Sequence, residues 1–167
     1  LDYERAALLR DQIQLVRKIQ AEQVINAPGM TDADVLGVQT GNGQACVAVL
    51  MIRGSRVLGS RSWFPRIVPG TESGEVLSAF IAQHYFHALP PAEILVPVAL
   101  ADRSVLQAEL EVRAGGRCMI RDRVRGTRSR WLEMAENNAA QGLSRRLAST
   151  ASLGMQFEQL TEALALD

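Results

Sequence analysis

Residues Asp34–Phe64, DVLGVQTGNGQACVAVLMIRGSRVLGSRSWF, decide the fold. Val35 to Gln39 reads as a strand. Gly41-Asn42-Gly43 is a strong hairpin signal, because tight hairpin turns need residues that accept positive φ. Ala45 to Ile52 is nearly all apolar, as a central strand covered on both faces must be. Gly54-Ser55 suits a second two-residue turn. Arg56 to Phe64 is a third, less apolar strand, expected at a sheet edge, where its positive charges discourage pairing with another chain. Pro65 and Pro69 stop it.

Beyond Pro69 the apolar period changes from two to 3.6. Leu77, Phe80, Ile81 and His84 share one helical face, with Thr71 or Ser73 as candidate cap. Pro90-Pro91 breaks the chain before a short buried strand, Glu93 to Val96. Asp102 is placed to cap a helix that carries Val105, Leu106 and Leu110 inward. Gly115-Gly116 turns into a fifth strand, Arg117 to Arg121. A long helix from about Gly126 carries Trp131, Leu132, Ala135, Ala139, Leu143 and Leu147, and a separate final helix carries Leu153, Phe157, Leu160 and Leu164. The order is βββ-α-β-α-β-α. Short turns make the first three strands an antiparallel meander, and strands reached through helices must be parallel crossovers. The fold class is α/β, a mixed sheet with the element order of the ribonuclease H-like fold, preceded by an amphipathic helix.

That first helix is expected over about Asp2 to Val24, and Asn26-Ala27-Pro28-Gly29 ends it. The organisation is then 1–26 helix, 27–33 linker and 34–167 domain. Leu8, Leu15 and Ile19, with Leu9, Ile13 and Val16, form one wide apolar arc. Either the arc packs on this chain's own domain or it takes a partner helix.

Net charge is zero, yet the charges are not mixed evenly. Four Arg lie between Arg53 and Arg66 without an acid, and seven between Arg113 and Arg130 against Asp122 alone. Arg suits bidentate phosphate contacts. Arg121, Arg123, Arg125, Arg128 and Arg130 surround the start of the long helix, whose free N–H groups and dipole favour phosphate. The competing reading is a solvated loop paired with Asp122, Glu133 and Glu136. Trp131 is either a core anchor or a base-stacking platform. Cys46 and Cys118 are far apart and lack Cys-x-x-Cys companions, which argues against a zinc or iron–sulfur site and for two buried thiols in a cytoplasmic protein. The longest apolar run, Ala45 to Ile52, is too short to span a bilayer.

Tyr3, Glu4, Ala6, Ala7, Arg10, Asp11 and Ile13 resemble the second helix of the UVR motif, a helical hairpin of the UvrC component of the UvrABC excinuclease, matched by a segment of its UvrB component. Further segments resemble the stretch of UvrC between that motif and its C-terminal endonuclease: Asp34 to Gly37, Gly59 to Phe64, Pro91 to Leu95, and Arg125 to Ala139. Where the family usually has Pro before the Arg-Gly pair, this chain has Val124. The resemblance covers essentially the whole chain. It implies a role in nucleotide excision repair. It further implies UvrB docking through Leu8, Leu9, Arg10, Asp11, Ile13 and Val16, and contact with the phosphates of damaged duplex DNA through the five Arg.

Ribonuclease H-like nucleases hold two metal ions with three or four carboxylates. The first lies midway along the first strand, where this chain has Gly37 and Val38, and the second near the end of the fourth, where it has Pro97. Asp34 and Glu93 sit at the opposite, N-terminal strand ends and read as solvated charges. His84 and His87 lack a carboxylate companion. No phosphate loop or nucleophile elbow appears. The expectation is a nuclease-inactive copy of the fold with no catalytic residue, metal, cofactor, membrane contact or small-molecule substrate. Its alternatives are a purely structural spacer and an active metal nuclease.

Overall fold

The computed structural model describes residues 4–7, 10–11 and 31–165. Five strands, β1 (Ala33–Gly41), β2 (Gln44–Arg53), β3 (Arg56–Trp63), β4 (Glu93–Leu95) and β5 (Met119–Arg121), form one sheet in the order β3-β2-β1-β4-β5. The first three are an antiparallel meander, and β4 and β5 add in parallel beside β1, as the connections require. Helices α1 (Ser73–His87) and α2 (Arg103–Ala114) provide the crossovers, and α3 (Thr127–Ala165) follows β5.

Both hairpins turn through paired positive-φ residues, Asn42 with Gly43 and Gly54 with Ser55. Ser55 tolerates that conformation because the turn is tied down on both sides. Its N–H donates to the Thr31 carbonyl, the Thr31 N–H donates to its Oγ, and the Asp32 carboxylate accepts the Gly54 N–H. β3 lies at the sheet edge as expected. Its pairing steps from Met51–Gly59 to Ile52–Val57, a bulge that leaves Leu58 out of register.

One sheet face packs on α1 and α2: Leu36, Val38, Val47, Val49 and Ile94 meet Leu77, Phe80, Ile81, Tyr85, Leu106 and Leu110. Among the described residues the other face packs on α3. Val35, Leu50, Ile52 and Leu95 meet Trp131 and Ala135, and Cys46 and Ala48 meet Ala139 and Leu143. Small residues on both sides bring helix and sheet close. A Cβ on Gly142 would sit 2.8 Å from Cys46 Sγ.

Several local expectations are corrected. Neither Thr71 nor Ser73 caps α1: Glu72 holds the cap position, and the Thr71 hydroxyl donates to Val68 O. Asp102 does precede α2, but its carboxylate accepts the Ser78 hydroxyl at 2.7 Å and caps nothing. Val105 faces solvent. The last two expected helices are one continuous α3 of 39 residues. Within the Ser/Thr-rich joint the Thr150 hydroxyl donates back to the Arg146 carbonyl, so that hydroxyl is satisfied inside the helix.

Burial pushes the Cys118 thiol up to about 11, with the charges of Glu111 and Asp34 adding to it. It also holds the Tyr85 phenol well above its usual 10, with the charge and hydrogen bond of Asp34 next in weight. Above the unfolded values the folded chain keeps protons that the unfolded chain has lost. Stability from these groups is therefore full below about pH 9 and lost as pH rises through the folded values. Urea melts at pH 7, 9 and 10.5 should show the midpoint falling only above pH 9, and Cys118→Ala should flatten the fall between pH 9 and about 11.

Candidate nucleic-acid interface

The Arg-rich segment runs from the end of β5 through a loop into α3, with Gly126 at φ +63° immediately before the helix. It does not act as one cluster. The Arg128 guanidinium donates to both oxygens of Glu93, at 3.0 and 3.4 Å, and to Thr31 Oγ1 at 3.0 Å. Arg121 reaches the same carboxylate, Nε to Oε1 at 3.5 Å. Glu93 is therefore a clamp that ties the helix start to β4. It is not the solvated strand-end charge expected from its position. Arg123, Arg125 and Arg130 are exposed, and no ion pair engages them among the described residues.

Two of the three expected acidic partners are otherwise occupied. Asp122 pairs with Arg103 at 3.3 Å. Glu136 turns inward and accepts the Val38 N–H at 2.8 Å and the Gln39 amide at 3.4 Å. Glu133 is exposed and makes no ion pair among the described residues. Trp131 is a core anchor on Val35, Leu50 and Leu95 rather than a stacking platform.

The sheet centre does not fit a metal pair. Gly37 faces α3 at its closest approach. A Cβ there would lie 2.6 Å from the Glu136 backbone N and closer still to the Ala135 carbonyl, so a side chain has no room. Pro97 follows β4 and offers no side-chain ligand atom. Asp34 is buried, not solvated: it accepts the Tyr85 hydroxyl at 2.6 Å and Arg53 Nη1 at 3.1 Å. Among the described residues no three His, Cys, Asp or Glu side chains are grouped so as to hold a metal ion. No described helix is long and apolar enough to cross a membrane.

Of the residues expected to dock a partner helix, Arg10 and Asp11 are helical and exposed, while Leu8, Leu9, Ile13 and Val16 lie outside the described residues. Sequence reasoning missed the clamp role of Glu93 and the inward turn of Glu136. A lone acid opening a strand, and an acid on the inner side of a helix beside Ala135 and Ala139, were the available signals. It also missed the convergence of Trp63, Phe64, Phe80, His84 and Arg146, which lie on three elements distant in sequence.

Residues 32–146 match the UvrC Ribonuclease H-like domain. The chain is 43% identical over its full length to UvrABC system protein C of Ectopseudomonas mendocina and 41% identical, over 99% of its length, to that of Klebsiella pneumoniae. It spans 28% of the length of each of these curated relatives. Among solved structures, human ENDOV is similar at 15% identity over 62% of this chain and 56% of that one, with a TM-score of 0.34.

Proposed function

The chain belongs to the UvrC family through its ribonuclease H-like domain, and from that premise we propose that it works in nucleotide excision repair as a non-cutting positioning domain. In this reading the Arg-rich loop holds DNA phosphates and the N-terminal helix docks UvrB. The observation that carries it is Gly37 pressed under the α3 backbone at the position where the fold's first metal carboxylate belongs. With no side chain there and Pro97 at the second position, the sheet cannot assemble a two-metal site. DNA contact is supported by Arg123, Arg125 and Arg130, three exposed cations beside a helix start. UvrB docking rests on the resemblance of Tyr3 to Ile13 to the UVR helix. The cytoplasm is the compartment that follows.

The second reading, a spacer that touches no DNA, is favoured by the Glu93 clamp, which spends Arg121 and Arg128 on structure. Salt titration of duplex binding separates the two. Each phosphate neutralised contributes about 0.9 to the slope of log K against log salt, so three contacts give about −3. Changing Arg123, Arg125 and Arg130 together to Ala should weaken binding alike for all sequences, flatten the slope and leave the melting temperature within about a degree. Unchanged weak binding leaves the spacer. Incubation with damaged plasmid and Mg²⁺ or Mn²⁺ should give no nicks. Nicking abolished by Asp34→Asn or Glu93→Gln overturns the non-cutting reading. In full-length UvrC, Ile13→Asp should reduce UvrB capture while the following domain stays folded, and undiminished capture removes the docking role.

A further inference from the structure

We propose that the groove around Phe64 and Pro65, beside the middle of α3 and apart from the Arg-rich loop, binds single-stranded nucleic acid, stacking a base in an aromatic hollow and holding its phosphates in a basic one. β3 runs in the same direction as β1, so Trp63 and Phe64 stand at the carboxyl end of β1. Open α/β sheets take their ligands at that end. Two hollows meet there along the Phe64–Pro65 ridge. The first, about 450 Å³, is lined by Trp63, Phe64, Phe80, Gln83, His84 and His87. The second, about 230 Å³, is lined by Gly43, Gln44, Arg66, Arg146 and Thr150 beside the shared Phe64 and Pro65.

The rings are already ordered. His84 stacks on Phe80 with centroids 5.1 Å apart and planes 13° apart, and Trp63 stands edge-on to His84 at 5.0 Å. Burial holds the His84 imidazole below its usual value, assisted by the charge of Arg61 and opposed by that of Asp34. Phe64 is 37% exposed although it is a large apolar ring. The Arg146 guanidinium lies 5.0 Å above it, and that of Arg61 lies 5.4 Å above Trp63. An antiparallel bridge between Gln44 and Arg66 fixes the chain just after the ridge.

The charge balance selects the ligand. Arg61, Arg66 and Arg146 are exposed and make no ion pair among the described residues, and no carboxylate lines either hollow. An apolar side chain of a partner protein would fill the first hollow and leave the second unused. A base with its flanking phosphates uses both, which is the pairing of stacking platform and basic groove found in single-strand binders. Gln83 offers an amide to the edge of the base. Arg146 lies sixteen positions after Arg130 in α3, about 24 Å along the helix, so the groove stands apart from the loop and does not rest on the loop's reading.

The test is fluorescence anisotropy of the 167-residue chain with labelled dT12, rU12 and a 12-base-pair duplex across a salt series. The expected result is saturable binding of a single strand. Phe64→Leu should weaken it fivefold or more while keeping an apolar side chain on the ridge. Arg66→Ala with Arg146→Ala, both at exposed positions, should cut the salt slope by about 1.4. Equal losses on dT12 and rU12 mean that the groove does not distinguish the sugars, and a loss on one alone names its strand. The loop triple variant should lose duplex and keep dT12, so the two sites fail separately. Full dT12 affinity in the groove variants, or no single-strand binding at all, overturns the proposal. So does binding of a labelled peptide of alternating Glu and Phe at this groove with dT12 excluded, which would assign the groove to a protein partner.

Discussion

Gly37→Ala is expected to lower the melting temperature by about 10 °C, and Gly37→Asp to keep α3 from seating on the sheet at all. The first expectation follows from what the new methyl would meet. Its nearest neighbours are the carbonyl of Ala135 and the backbone N of Glu136, not the end of a flexible side chain. Overpacking of side chains costs about 1–3 kcal/mol. Here no rotamer change relieves the clash, so about 3 kcal/mol is the expected minimum, and each kilocalorie shifts the midpoint by about 2–4 °C in a chain of this size. Moving the helix away breaks the Glu136 bond to the Val38 N–H and opens the Ala48–Ala139 contact. Gly37→Asp adds an unpaired carboxylate under the same helix, so restoring the nominal metal ligand destroys the site that would hold it. Thermal melts by circular dichroism check the first, and loss of Trp131 burial in the fluorescence spectrum checks the second. A Gly37→Ala melt within two degrees of the parent would mean that α3 rides higher on β1 than described.

The meander and the crossovers were legible because they depend on local signals. Asn42-Gly43 and Gly54-Ser55 dictate tight turns, and the unbroken apolar run of β2 dictates burial on both faces. The ribonuclease H-like order followed from those and from the helix spacing. The single long α3 was not legible, because the segment Ser149 to Ser152 looks like a breaker until Thr150 is seen to bond within the helix. Nor was the division of the Arg run. Which Arg is free depends on where β4 places Glu93, and that is a tertiary fact. Gly37 was legible as a missing carboxylate but not as a contact point. The reason only glycine fits lies 98 residues away, at Ala135 of α3. Asp34 misled for the same reason: a strand-end acid is usually solvated, and only α1 brings Tyr85 over it.

Asp34→Ala is accordingly expected to cost about 3 kcal/mol. The Asp34 side chain is 6% exposed and holds two groups at once: the Tyr85 hydroxyl at 2.6 Å and Arg53 Nη1 at 3.1 Å. Removing it orphans a phenol hydroxyl that is itself buried, and a buried donor without a partner loses its full solvation. The Arg53 side is cheaper. Its guanidinium is a third exposed and keeps bonds to the Ala33 and Ile52 carbonyls, so solvent and backbone absorb much of that loss. The double-mutant cycle separates the two contributions. Tyr85→Phe alone removes the donor and leaves Asp34 with Arg53, so it should cost about 1–2 kcal/mol. Asp34→Ala in the Tyr85→Phe background should then cost clearly less than in the parent, because the orphaned hydroxyl is gone. Urea melts at pH 7 give all four corners. Additive costs, with coupling below about 0.5 kcal/mol, would place the weight on Arg53 and make Asp34 a surface-linked pin rather than the acceptor that fixes α1 to β1.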